Sequence, residues 1–179
     1  MLRRWRRLDE PGLEVFRLNH SGNEWVAHSQ ITFGGTPSYA VRYVWTLDHE
    51  WRTRTLQLDV MGETTDRSLM IERVGPTAWR VDGQSRAYLD CCEEIDVSAT
   101  PFCNALAIRH FGDSEGEWSA LYVSVPDLLL TPSRQRYERR GERTWRYIDL
   151  GVAKGFEADL EMDDDGLVRR YEGLFEALT

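Results

Sequence analysis

The feature of this sequence that most restricts its fold is a strict alternation of apolar and acidic residues late in the chain. Apolar residues occupy the even positions from Phe156 to Met162, and acidic residues occupy the odd positions from Glu157 to Asp163. Because neighbouring side chains of a strand point to opposite faces, this pattern predicts an antiparallel strand with one face in water. The turn Asp163–Gly166 and the segment Leu167–Tyr171 complete a predicted hairpin. The turn lacks the ligand spacing and distal glutamate of a calcium loop, so we interpret it as a plain turn.

The same period of two recurs along nearly the whole chain, and breaks rich in glycine and proline separate the segments. About a dozen or more short strands predict an all-β, mainly antiparallel fold with little helix, in the form of an incomplete or curved β-barrel. We expect one domain over residues 1–179, and the best helix candidate, Tyr171–Leu178, is about two turns long. The predicted strands are Glu14–Leu18, Trp25–Phe33, Tyr39–Asp48, Trp51–Val60, Ser68–Val74, Ala78–Val81, Ala87–Cys92, Ser119–Val125, Leu128–Glu138, Arg143–Asp149, Phe156–Asp163 and Leu167–Tyr171.

The segment Glu93–Phe111 combines strand-forming apolar residues with polar groups that a buried strand would avoid. We predict an extended segment that is broken at the Thr-Pro pair of residues 100–101. Its unexpected polar residues are Asp96, Asn104 and Arg109. These groups either satisfy one another as a buried structural network or line a cavity that holds something polar.

Arginine residues raise the same question in other predicted strands. In Trp51–Val60, Arg52 and Arg54 share a face with aliphatic residues, and polar residues recur in Arg134–Tyr137. A buried arginine needs an acidic partner or an anion, although its stem can also pack against apolar groups while its head reaches water.

Taken together, the polar side chains suggest a concave sheet with an apolar inner face that holds an amphiphile. Aliphatic chains would meet apolar side chains, and a sugar or other polar headgroup would meet arginine, aspartate, asparagine and glutamine. The rings of Tyr39, Trp51 and Tyr137 would suit the apolar face of a sugar. An aromatic core would produce the same pattern.

The sequence carries no positive sign of catalysis. Cys103, Asn104 and His110 have the residue types of a nucleophilic trio, but residues seven apart on a strand are about 23 Å apart and face opposite ways. Glu94 and Asp96 could imitate the carboxylate pair of a glycosidase, but nothing in the sequence converges on that geometry. We therefore predict no enzyme activity, no catalytic residue, no metal ligand and no cofactor.

Two alternatives stay open at this point. An enzyme acting on a hydrophobic substrate in the same cavity would show an acid or thiol converging with a histidine, and His28 and His49 are the candidates to examine. A protein-interaction module would show an exposed apolar groove that is open at both ends.

Composition and charge exclude several partners. With 22 basic and 30 acidic residues the formal net charge is -8, which argues against nucleic acid. The basic first segment, residues 1–12, is followed by no apolar run, and no window is long enough to cross a bilayer. We therefore expect a cytoplasmic protein with a solvated first segment, in unknown oligomeric state. Its three cysteines should be reduced and mostly buried.

The run DVSATPFCNALAIR, residues 96–109, resembles the signature of the bacterial "putative glycolipid-binding" family. That signature has an acidic entry, then Thr-Pro-Phe-Thr-Asn, then Leu-Pro-Ile-Arg-Arg. This chain departs from it at Cys103 in place of threonine, at Ala107 in place of proline and at His110 in place of the second arginine. The resemblance extends from about Glu24 onward, because further blocks agree in order: Trp51–Arg54, Trp79–Gly83, Tyr122–Pro126, Gln135–Tyr137 and the hairpin Phe156–Tyr171.

The resemblance implies an antiparallel incomplete barrel similar to the carriers that move lipoproteins between bacterial membranes, with a glycolipid, lipid or other amphiphile as ligand. If the family's threonine or second arginine touches the ligand, the departures alter those contacts here. We expect Arg109→Ala to weaken ligand binding more than it lowers the melting temperature. The candidate ligand-binding residues are Tyr39, Trp51, Arg52, Arg54, Asp96, Thr100, Asn104, Arg109, Gln135 and Tyr137.

Overall fold

The computed structural model describes residues 1–178 and contains one fifteen-stranded sheet with one α-helix against it. Most predicted strands are confirmed, with bounds that differ by three residues or fewer. The strands are β1 (Leu2–Arg7), β2 (Gly12–Ser21), β3 (Glu24–Phe33), β4 (Tyr39–Leu47), β5 (Thr53–Gly62), β6 (Arg67–Arg73), β7 (Trp79–Val81), β8 (Gln84–Ser85), β9 (Glu94–Val97), β10 (Gly116–Ser124), β11 (Leu129–Arg139), β12 (Thr144–Asp149), β13 (Glu157–Met162), β14 (Val168–Tyr171) and β15 (Phe175–Ala177), and the helix is α1 (Phe102–Phe111).

The sheet is one continuous ladder of neighbouring strands. Its order is β8-β7-β6-β5-β4-β3-β2-β1-β15-β14-β13-β12-β11-β10-β9, so the first and last strands of the chain pair in the middle. Every pair is antiparallel except β9 with β10, which is parallel. Strands β8 and β9 are the two edges, and the sheet does not close into a barrel by strand pairing.

The helix α1 fills the concave face of this sheet. The ring of Phe102 lies 4.7 Å from that of Phe16 in β2 and 5.5 Å from that of Trp45 in β4. On the other half of the sheet, the hydroxyl group of Tyr137 in β11 donates a hydrogen bond of 2.9 Å to Asn104 in the first turn of α1. Both halves of the sheet therefore curve around the same helix.

Side chains rather than backbone pairing bring the two ends of the sheet together. The buried carboxylate of Glu94, on the edge strand β9, accepts 2.9 Å hydrogen bonds from the backbone N–H of Thr53 in β5 and from Arg73 in β6. Arg73 also donates to the carbonyl oxygen of Glu93 at 2.7 Å. Burial raises the pKa of Glu94 although Arg73 opposes that shift. We refer to Thr53, Arg73 and Glu94 as the edge clasp.

The prediction of an extended segment over residues 93–111 was wrong for its second half. Residues 94–97 form β9, but the Thr-Pro break begins α1 instead of interrupting a strand. Proline at a helix start is favourable, and the alanines and leucine after it are good helix formers. Residues 102–108 are all buried, so α1 is apolar on nearly every side and lacks the one-sided periodicity by which a surface helix is recognised. Cys103 and His110 are consequently only about 10 Å apart along the helix axis.

Two other local predictions were also wrong. Residues 87–89 form a 3₁₀ turn, not a strand over Ala87–Cys92. The expected helix Tyr171–Leu178 is the end of β14, a turn and then β15, and Gly173 in that turn has a φ of +72°, which favours glycine.

Most side chains of the first segment are exposed, but its backbone is a strand that pairs with β2 and β15 in the centre of the sheet. The side chain of Trp5 is fully buried, and its indole N–H donates a 2.7 Å hydrogen bond to the carbonyl oxygen of Val168. One inward tryptophan therefore anchors a strand whose other side chains are mostly charged.

Candidate functional site

A cavity of about 230 Å³ lies between the first turn of α1 and the half of the sheet that contains β9, β10 and β12–β15. We call it the aromatic cavity, because five rings line it: Tyr122, Tyr147, Phe156, Tyr171 and Phe175. Four of these rings form a connected wall. The centroid of Tyr147 is 6.2 Å from that of Phe156 and 5.9 Å from that of Tyr171, which is 6.3 Å from that of Phe175.

Two carboxylates face this cavity. Asp96, on β9, accepts hydrogen bonds from the thiol of Cys103 at 2.9 Å and from the side-chain amide of Gln135 at 2.5 Å. Burial raises the pKa of Asp96, and the nearby charge of Asp149 adds to that shift.

Asp149, at the end of β12, is held by neutral donors as well. It accepts hydrogen bonds from the hydroxyl group of Tyr147 at 3.1 Å and from the backbone N–H groups of Gly151 at 2.7 Å and Ala153 at 3.2 Å. None of the residues that line the aromatic cavity is basic. The site is therefore a buried, aromatic pocket whose charged groups are both acidic.

A polar network connects the cavity wall to the sheet. Tyr137 lies with its hydroxyl group 2.9 Å from Asn104 and 3.3 Å from the side-chain oxygen of Gln135, and Gln135 in turn binds Asp96. The polar residues of the segment 96–104 therefore belong to a buried hydrogen-bond network and also line a cavity, so both hypotheses from the sequence hold for them.

The exposed lining residues of the cavity belong to one loop. Most lining residues are buried or half-buried, whereas Val152 is 44% exposed and Ala153 is also exposed. Both belong to the loop 150–156, which Asp149 fixes through the backbone N–H groups named above. We call this loop the cavity mouth.

Five of the ten candidate residues from the sequence meet around the aromatic cavity. Asp96, Thr100 and Asn104 line it, while Gln135 and Tyr137 bind the lining residues from behind. Thr100 also donates a 3.0 Å hydrogen bond to the buried Glu14 of β2, so it connects the first turn of α1 to the other half of the sheet.

Three further candidates line a second, larger cavity of about 420 Å³. They are Trp51, Arg52 and Arg109, and acidic residues share their walls. The guanidinium group of Arg109 lies 3.7 Å from the ring centroid of Trp51 and donates a 2.5 Å hydrogen bond to the carbonyl oxygen of Asp165. Desolvation lowers the pKa of Arg109 despite the carboxylates of Asp163 and Asp165.

The remaining two candidates lie apart from both cavities. Tyr39 stacks on Phe33, with ring centroids 4.7 Å apart, and Arg54 forms an exposed ion pair of 3.4 Å with Glu24. The sequence pattern predicts that Arg54 shares a face with the aliphatic residues of β5. In the structure its side chain instead projects into water beside Glu24.

An enzyme would bring an acid or a thiol together with a histidine, and the structure shows this convergence only in part. The second cavity brings His110 together with Glu93 and Glu94, but the edge clasp occupies the carboxylate of Glu94 and the backbone N–H of Ser119 donates to that of Glu93. The aromatic cavity holds the thiol of Cys103 but no histidine among its lining residues. His28 and His49 line neither cavity.

Comparison with known proteins places the chain in a family. The model of a family described as "Putative glycolipid-binding" matches residues 2–177. The chain belongs to this family. A crystal structure of a DUF1089 family protein from Pseudomonas aeruginosa has a similar fold, with a TM-score of 0.81, 30% sequence identity and 92% of each chain covered. No curated protein matches the chain.

Two of the residues at which this family member departs from the signature lie on cavity walls. Cys103 lines the aromatic cavity and donates to Asp96, a contact that a threonine hydroxyl could also make. His110 lines the second cavity and packs edge-on against Trp118, with ring centroids 5.1 Å apart. Ala107 is buried within α1.

Sequence reasoning missed most of the aromatic cavity. Asp149 and the rings of Tyr122, Tyr147, Phe156, Tyr171 and Phe175 were not among the candidates, although all of them line it. One signal was available: in β12 the alternation that buries Trp145 and Tyr147 also buries Asp149, an acid where an apolar residue is expected.

Among residues 1–178, no group of three or more histidine, cysteine or acidic side chains has the arrangement of a metal site. Within the same residues, no helix is both long enough and apolar enough to span a membrane.

Proposed function

We propose that this family member binds an amphiphile without chemical conversion, and that the polar headgroup of the ligand, such as the sugar of a glycolipid, occupies the aromatic cavity. The observation that carries the proposal is the combination of a buried aromatic wall with two inward carboxylates. Ring faces pack against the apolar face of a sugar, and carboxylates accept hydrogen bonds from its hydroxyl groups.

The volume of the cavity determines which part of the ligand enters. At about 230 Å³ it lies below the range of about 300–1,000 Å³ that is usual for sites of drug-sized ligands, so it suits a headgroup and not an acyl chain as well. The helix α1 occupies the inner face of the sheet, where Phe102 packs against Phe16 and Trp45. We therefore place the apolar tail outside, along Val152 at the cavity mouth.

The thiol in the cavity supports a binding role over a nucleophilic one. A cysteine attacks as the thiolate, and reactive cysteines have a lowered pKa. Burial raises the pKa of Cys103 well above its ordinary value, and the adjacent carboxylate of Asp96 raises it further. The neutral thiol instead serves as a donor that orients Asp96.

The test is native mass spectrometry and mass analysis of an organic extract from protein purified without denaturant, beside a sample denatured and refolded. We expect a stoichiometric amphiphile in the native sample and rebinding of octyl β-D-glucopyranoside or an amine-bearing analogue by the refolded one. Ala153→Trp at the cavity mouth should abolish rebinding, whereas Arg54→Ala, on the exposed surface, should leave it unchanged.

An empty native protein that also takes up neither probe would overturn the proposal. Binding that Ala153→Trp leaves intact would place the ligand elsewhere. Release of a chemically altered probe after incubation would favour the enzymatic alternative.

A further inference from the structure

We propose that the headgroup in the aromatic cavity carries a protonated amine, as an amino sugar does. This inference rests on the proposed function and specifies the ligand class for the same site. It starts from the balance of charge in the cavity, because none of the described residues that line it is basic.

The two carboxylates receive only neutral donors. Asp96 is bound by a thiol and an amide, and Asp149 by a phenol and two backbone N–H groups. A buried carboxylate without a cationic partner is costly, and a ligand cation would supply the missing charge. By contrast, Glu94 faces Arg73 at 2.9 Å, so this chain does provide a basic partner for a buried acid elsewhere.

The aromatic wall attracts positive charge as well. A cation is stabilised within about 6 Å of the centroid of a ring face, and the linked rings of Tyr147, Phe156 and Tyr171 are about that far from one another. An ammonium group placed among them would reach ring faces and carboxylates at once. A neutral sugar would gain the stacking but not the charge.

The second cavity does not share these properties. Its walls contain both basic and acidic residues, whose charges compensate one another: Arg52, Arg109, Glu50, Glu93 and Glu94. The preference for a cation is therefore specific to the aromatic cavity. The titratable groups that face it are Asp96, Cys103, Tyr122, Tyr147, Asp149 and Tyr171.

The experiment compares two probes that differ only at one position of the sugar: octyl β-D-glucopyranoside and octyl 2-amino-2-deoxy-β-D-glucopyranoside. Isothermal titration of the full chain near pH 7 should show that the amine binds at least about tenfold more tightly.

Asp149→Asn keeps an acceptor for the loop but removes one charge, and it should reduce the ratio of the two affinities to about threefold or less. Arg54→Ala, on the exposed surface, is the control and should keep the full preference for the amine. Asp96→Asn serves as the second variant if Asp149→Asn does not fold. Equal affinity for the two probes, or tighter binding of the neutral one, overturns this inference and leaves the proposed function standing. Failure of the wild-type protein to bind either probe overturns both.

Discussion

The thiol of Cys103 donates a 2.9 Å hydrogen bond to the carboxylate of Asp96, which joins the first turn of α1 to the edge strand β9. Burial raises the pKa of both groups, so the proton stays on sulfur and the contact is that of a neutral donor with an acid. The arrangement connects the helix that fills the sheet to the wall of the aromatic cavity.

The three cysteines should consequently react at very different rates. Iodoacetamide at pH 8 should label Cys91, which is exposed, and spare Cys92 and Cys103, which are buried and have raised pKa values, that of Cys92 to about 12. Intact-mass analysis should show one adduct in native protein and three in denaturant. Cys91→Ser should remove the fast adduct. Rapid native labelling of Cys103 would contradict the proposed state of its thiol.

A buried glutamate connects the other half of the sheet to α1. Glu14 accepts hydrogen bonds from the hydroxyl groups of Ser29 at 2.7 Å, Tyr43 at 2.9 Å and Thr100 at 3.0 Å, all at Oε1. Its Oε2 has no partner among the described residues. Burial raises the pKa of Glu14 from 4.5 to about 7, although the three hydrogen bonds oppose that shift.

This carboxyl group should make stability depend on pH. Because the folded pKa is higher than the unfolded one, the folded state binds the proton more tightly, and the free energy of unfolding falls as pH rises from about 4.5 to about 7. The loss attributable to Glu14 is about 3 kcal/mol, and it is constant above that window.

Denaturant titrations of the wild-type protein and of Glu14→Gln between pH 4 and pH 9 measure this contribution. The variant should show a flatter profile and should equal or exceed the wild type in stability near pH 8. Glu117→Gln, at an exposed ion pair, is the matched control and should follow the wild-type slope. A Glu14→Gln profile as steep as that of the wild type would assign the pH dependence to other groups.

The edge clasp provides a third prediction. Arg73→Ala leaves the carboxylate of Glu94 buried without its basic partner, so we expect a loss of about 3–5 kcal/mol in the free energy of unfolding. Hydrogen exchange should accelerate at the amide of Thr53, which donates to the same carboxylate. Arg136→Ala, which breaks a fully exposed pair with Glu117, should lower the free energy of unfolding far less, because solvent screens that pair. Similar losses in the two variants would show that the clasp does not hold the sheet edges together.

The alternation of apolar and polar residues was sufficient to predict the sheet, because one face of most strands is buried and the other is in water. It failed where that asymmetry is missing. The helix α1 is buried on nearly every side, and β1 carries a single inward tryptophan among charged residues, so neither has a clear period.

The same reasoning recovered only part of the site. Asp96, Thr100 and Asn104 stood out as polar residues in an apolar segment, and the structure places all three on the aromatic cavity. The opposite wall comes from β10, β12, β14, β15 and the loop 150–156, and only the topology shows that these segments face the first turn of α1. A pattern within one strand carries no information on which distant strand lies across a cavity.

Arg109 distinguishes the two cavities as ligand sites. From the sequence we expected Arg109→Ala to weaken ligand binding more than it lowers the melting temperature. The structure places the guanidinium group over Trp51 and against the carbonyl oxygen of Asp165, outside the aromatic cavity, so we now expect the reverse. Loss of the cation–π contact and the hydrogen bond should cost about 1 kcal/mol, or about 2–4 °C in melting temperature.

Calorimetry and probe titration of the same Arg109→Ala sample measure the melting temperature and the ligand affinity. Ala153→Trp is the comparison variant, for which we expect the opposite result. Arg109→Ala should bind the alkyl glycoside with an affinity within about twofold of the wild type, whereas Ala153→Trp should lose binding at an almost unchanged melting temperature, because Ala153 is exposed at the cavity mouth. If Arg109→Ala instead abolishes binding and melts like the wild type, the cavity beside Trp51 is the ligand site, and the headgroup must then suit its mixed charges instead of an acidic aromatic wall.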